Sequence, residues 1–183
     1  MSGGSPKPVA TPSQTIGPFF HFALTADASL GRIAAVGTSG TAVRLRVRVL
    51  DGDGAPVPDA MIELYQADAD GLYARPPFTG FGRLPTGEDG SCLFNTVRPG
   101  PVAAGNGATA AAHVNVLLFA RGLLRHLYTR IYFAGDPALD ADPILSLVPP
   151  SRRETLLASP AGDGIWDFLV RLQGPGETVF FDV

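Results

Sequence analysis

From residue 43 to 50 the chain reads Val-Arg-Leu-Arg-Val-Arg-Val-Leu, so Val43, Leu45, Val47 and Val49 fall on one side of an extended backbone and Arg44, Arg46 and Arg48 on the other. A period of two is strand grammar, and it demands a fold that buries one face of a sheet. The same grammar recurs, less cleanly, in Ala60–Gln66, Cys92–Val97, His113–Ala120, Arg125–Phe133, Ile165–Gln173 and Thr178–Asp182. Asp-Gly at 51, 53 and 89, Pro-Gly at 99 and Arg-Gly at 121 lie between these runs as turn signals, within a chain holding 22 Gly and 17 Pro. Seven strand candidates predict an all-β fold, a β-sandwich of about seven or more strands with long loops. The three Arg are read as a solvated face, the alternatives being a partner surface or the protection of a sheet edge.

Helix is scarce. Ser151–Ala158 is the one predicted helix, with Ser151 as cap and Glu154 three residues on, placed over an edge of the sandwich. Residues 1–20, rich in Pro, Ser and Thr, are expected to be an extended arm lying on a partner, and Ala103–Ala112 a Gly- and Ala-rich loop. With 183 residues, one domain over 1–183 is expected, large enough to fold without disulfide or metal.

Fourteen Lys and Arg against seventeen Asp and Glu lack the basic excess of a nucleic-acid binder. Charged residues make up 17%, against about 25% in an average soluble domain, and mean hydropathy is +0.17. Part of the apolar surface is therefore expected to meet another chain. No run is long and apolar enough to span a membrane, and the N-terminus has no basic start followed by an apolar run. The single cysteine, Cys92, excludes an intrachain disulfide and suits a reducing compartment, so a cytoplasmic protein is expected.

The candidate chemistry is sparse. Asp51-Gly-Asp53-Gly and Asp68-Ala-Asp70-Gly lack the Gly and Glu that a calcium loop needs at its sixth and twelfth positions, and read as turns. Cys92 reads as a buried structural thiol. His113, Asn115, Leu117, Phe119 and Arg121 share one face of a strand, beginning and ending polar. His113 there is a hydrogen-bonded core residue or a ligand. Tyr65, Tyr73, Tyr128 and Tyr132 are amphipathic core residues or phenolate ligands suited to ferric iron.

Thr11–Phe19, Glu63–Tyr73, Phe81–Arg83, His113–Gly122, Thr129–Phe133, Arg152–Leu156 and Gly174–Asp182 together resemble, in order and over nearly the whole chain, the alpha subunits of the protocatechuate 3,4-dioxygenases, an intradiol ring-cleaving family. The resemblance implies a β-sandwich, a beta subunit as partner, Fe(III) bound by that beta subunit through two Tyr and two His, and cleavage of 3,4-dihydroxybenzoate by dioxygen to 3-carboxy-cis,cis-muconate. It places Tyr73 and His113 at the first Tyr and first His ligand positions. Val102 and Asn115 take the other two, and Ala110 stands where the catalytic subunit has Arg. Two donors of four make a degenerate site, so no metal and no catalytic residue are expected in this chain. By the same resemblance Thr15, Gly17, Pro18 and Arg121 wall the substrate pocket beside the partner's iron. Read without it, Arg121 is a salt bridge at a hairpin end. The alternative function is a transthyretin-like or immunoglobulin-like binding module.

Overall fold

The computed structural model describes residues 9–17 and 19–182. Ten strands form among them: β1 (Ala42–Leu50), β2 (Met61–Gln66), β3 (Phe81–Pro85), β4 (Ser91–Val97), β5 (Val102–Ala103), β6 (Thr109–Ala110), β7 (His113–Phe119), β8 (Leu127–Phe133), β9 (Leu157–Pro160) and β10 (Ile165–Arg171). Eight join in the order β3-β2-β7-β8-β9-β10-β1-β4, and β5 pairs with β6. β9 is the seam: it runs parallel to β8 through Tyr132 and Phe133 and antiparallel to β10 through Trp166 and Asp167. The sheet thus folds into two layers, β10-β1-β4 and β3-β2-β7-β8.

The inward residues of both layers form one buried cluster. Val43, Leu45, Val47, Val49, Phe94 and Phe168 come from the first, and Ile62, Leu64, Val114, Val116, Leu118, Ile131 and Phe133 from the second. Gln66 ties this core to the β4 strand end: fully buried, it donates to the carbonyls of Ala67 and Val97 and accepts from the Thr96 hydroxyl at 2.8 Å. Cys92 is buried in the same cluster, and burial, with a smaller contribution from Asp89, pushes its thiol up to about 12.

The sandwich expectation holds, with differences at particular elements. β1 lies between β10 and β4, so its Arg row does not protect an edge. Arg46 forms a two-pronged ion pair with Asp167, while Arg44 and Arg48 donate to the carbonyls of Asp163 and Asp89. The helix expected at Ser151–Ala158 is a 3-10 helix over Pro150–Leu156 without a side-chain cap, since it starts before Ser151 and its N-cap is Pro149, which has no acceptor in its ring; Leu157 and Ala158 pass into β9. Thr178–Asp182 forms no named strand but is tied to both β10 and β8: the Thr178 N–H donates to the Arg171 carbonyl, the Thr129 hydroxyl donates to the Val179 carbonyl, and Phe181 makes an isolated bridge to Tyr128. The loop expected at Ala103–Ala112 contains the β5-β6 hairpin. An α-helix, α1 (Phe19–Leu24), starts inside the stretch expected to be extended, while residues 9–17 carry neither helix nor strand. Asp51 and Asp68 each accept two backbone N–H groups of their own turns, as turn residues do. Among the described residues no helix is long and apolar enough to cross a membrane.

Candidate functional site

The outward face of β2, β7 and β8 carries the polar residues that the inward face excludes. Antiparallel register places Tyr65 beside Asn115, Asn115 beside Arg130, Leu117 beside Tyr128 and His113 beside Tyr132. Tyr73 comes from the loop after β2, its ring stacked on Tyr65 at 5.1 Å between centroids. That loop is fixed from below at Gly71, where φ is +81° and an added Cβ would lie 2.0 Å from the Pro101 carbonyl oxygen.

These side chains form a hydrogen-bond chain with one direction. The Arg130 Nε–H donates to the Tyr128 hydroxyl at 3.3 Å, and Tyr128 donates to Asn115 Oδ1 at 2.7 Å. Asn115 Nδ2 donates to the Tyr73 hydroxyl and to the Tyr65 carbonyl, each at 3.1 Å. Tyr73 lies 3.3 Å from His113 Nε2, and His113 Nδ1 lies 2.7 Å from the Ala111 carbonyl. A carbonyl can only accept, so Nδ1 carries the proton and Nε2 accepts from Tyr73. Burial lowers the His113 pKa and raises that of Tyr73, which keeps the imidazole neutral and the phenol protonated, as this direction requires. The Ala111 N–H finally donates to Asp142 Oδ2 at 2.8 Å. A cation begins the chain and a carboxylate ends it.

Of the four positions likened to iron ligands, three are brought together, with Tyr73 in contact with both His113 and Asn115. Val102 sits on β5 opposite Ala110, three residues before His113, and offers no donor atom. Asn115 turns its amide nitrogen, not a lone pair, toward Tyr73. The residues present do not fit a ferric ion, which asks for several anionic or imidazole donors. Sequence reasoning named Tyr128 only as one of four candidate tyrosines and missed Arg130; their i, i+2 spacing on β8 is the signal, but the register against β7 was needed to use it.

The second group lies at the turn between β7 and β8. Thr15 Oγ1 accepts the Gly122 N–H at 2.8 Å, so the arm and the Arg121–Gly122 turn meet across 107 residues of sequence. Thr15, Gly17 and Arg121 are exposed, and none of the ion pairs among the described residues involves Arg121. Pro18 lies outside the described residues. Phe20 packs on Phe119 at 6.1 Å between ring centroids, and His21 pairs with Asp59, so α1 is held to the same layer. A groove of about 360 Å³ beside the arm is lined by Ile16, Phe119, Leu123, His126, Tyr128 and Phe181; through Tyr128 it reaches the polar chain.

The Dioxygenase family profile matches residues 16–163. The protocatechuate 3,4-dioxygenase alpha chain of Burkholderia cepacia is 44% identical, over 94% of this chain and 97% of that one. That of Pseudomonas putida is 40% identical over 94% and 96%. The dioxygenase domain of a carbohydrate-binding fusion protein from Streptomyces sp. SirexAA-E shares the fold, with a TM-score of 0.64 at 24% identity over 96% of this chain and all of that one. The profile and the full-length relatives do not favour a binding module of another family: the chain belongs to the Dioxygenase family of intradiol ring-cleaving enzymes.

Proposed function

We propose that this chain is the noncatalytic alpha-type subunit of a cytoplasmic protocatechuate 3,4-dioxygenase, one unit over 1–183 that works with an iron-bearing beta-type subunit. The observation that carries this reading is the Tyr73, Val102, His113, Asn115 set. Two of its members supply no ligand, and the rest are engaged with one another, in a chain that matches alpha chains over 94% of its length. Non-haem iron belongs to the holoenzyme of this family, and here it is assigned to the partner.

The contribution of this chain is then positional. Arg121, exposed and free of carboxylate partners among the described residues, offers a forked cation to the carboxylate of 3,4-dihydroxybenzoate. Thr15 clamps the arm to the same turn, which brings Gly17 into the neighbourhood of Arg121; Pro18 is assigned to the same wall by the family resemblance alone. Such a wall orients the ring and keeps water from it, which lowers the barrier without proton or metal chemistry from this chain. The arm, residues 1–20, and the exposed apolar residues Phe22 and Leu124 face the partner.

Co-expression with a beta-type chain tests the reading. The expected result is a stable complex that converts 3,4-dihydroxybenzoate and dioxygen to 3-carboxy-cis,cis-muconate, while neither chain does so alone at a comparable rate. An assembled, iron-loaded complex without ring cleavage would overturn it.

A further inference from the structure

We infer that Arg130 is a built-in cation that replaces the metal in this chain, and that its guanidinium, beyond the loss of two donors, closes the position to iron. Arg130 stands directly opposite Asn115 in the β7-β8 register, on the face that carries His113 and Tyr73. Its Nε–H starts the chain that passes through Tyr128 and Asn115 to Tyr73, so the oxygens that could turn lone pairs toward an ion are already oriented by a donor. The guanidinium is half-buried, and no ion pair among the described residues involves it. The counter-charge, Asp142, sits at the far end of the relay behind Ala111. A metal cation at the same place would meet a like charge across a partly desolvated gap, where such repulsion is poorly screened. Restoring donors alone therefore leaves the obstacle in place.

The test compares variants that differ only at Arg130. In the first pair, Val102→Tyr/Asn115→His restores four donors, and Arg130→Gln is then added. The second pair adds Arg130→Gln to Asn115→His alone, which leaves three donors and a smaller demand on folding. The full chain is used, co-purified with its beta-type partner, and iron is counted relative to the unsubstituted complex so that iron held elsewhere cancels. The reference count and its activity report separately on the proposed function.

The expected result is no added iron without Arg130→Gln and up to one added iron per chain with it, accompanied by a tyrosinate-to-iron charge-transfer band in the visible. In the three-donor pair, ferric affinity should rise at least tenfold on adding Arg130→Gln. Equal iron uptake with and without Arg130→Gln in whichever pair folds would overturn the inference. So would folded variants of both pairs that take up no iron even after Arg130→Gln.

Discussion

Asp142 accepts the Ala111 N–H at 2.8 Å, and the carbonyl of that same Ala111 holds His113 Nδ1 at 2.7 Å. Asp142 is fully buried and also takes the Tyr132 hydroxyl at 3.0 Å and the N–H groups of Ile144 and Leu145 at 3.0 and 2.7 Å. One carboxylate thus anchors the loop after β8, the start of β7 and the ring of Tyr132. Asp142→Asn would set an amide donor against at least one of these donors. It is expected to cost about 1–3 kcal/mol, read as a lower denaturation midpoint with an unchanged urea slope.

Arg121→Ala in the assembled enzyme should lower kcat/KM for 3,4-dihydroxybenzoate roughly ten- to a hundredfold, the loss of a charged hydrogen bond of about 1.5–3 kcal/mol. Iron content and assembly should stay the same. Arg121→Lys should restore part of the loss, because Lys keeps the charge without the fork. Catechol lacks the carboxylate and should be affected less; equal losses on both substrates would reduce Arg121 to a support for its loop.

Thr15→Val removes the acceptor for Gly122 N–H at an exposed site. Global stability should change by less than about 0.5 kcal/mol, as for surface changes generally. The arm should become easier to cleave by protease, and kcat/KM of the complex should fall roughly two- to tenfold, the worth of one hydrogen bond. Unchanged proteolysis with unchanged kinetics would show that the contact does not position the arm.

Cys92 should resist alkylation in the native protein at pH 8 and react at once after unfolding. Its thiol has a folded pKa of about 12 against an ordinary value of 9.0, because burial disfavours the thiolate. The unfolded chain ionises first, so stability from this residue is intact below pH 9 and is lost as pH rises from 9 toward 12. Each unit of that window removes on the order of 1.4 kcal/mol at most. Cys92→Ala should flatten this alkaline slope in denaturation midpoints measured from pH 8 to 11.

The two layers were legible wherever inward side chains alternate, as in β1, and illegible where they do not. β3 has Gly82 as an inward residue, and an added Cβ there would come within 2.6 Å of Ile33; the close approach that the glycine permits erases the apolar signal. β9 was hidden because Ser151 and Glu154 imitate a helix start just before it. Tyr73, His113 and Asn115 were legible only through the family resemblance, and their degeneracy with them; alternation alone offered one strand face that begins and ends polar. Their hydrogen-bond direction was not legible, since it depends on Arg130 and Asp142, which local pattern does not connect to the site. Nor does any periodicity join Thr15 to Gly122.

The pairing of β1 with β10 is parallel and joins positions 121 residues apart, as Arg46 and Asp167 mark. Contacts of such long range are slow to form, since the intervening loop must be closed before they repay its entropy. During synthesis β1 can receive β4 on one side, but its other edge waits for β10, near the C-terminus. Truncation after Pro160, or pausing there, leaves an aggregation-prone open strand, so the yield of intact chain is governed by how long that edge stays uncovered.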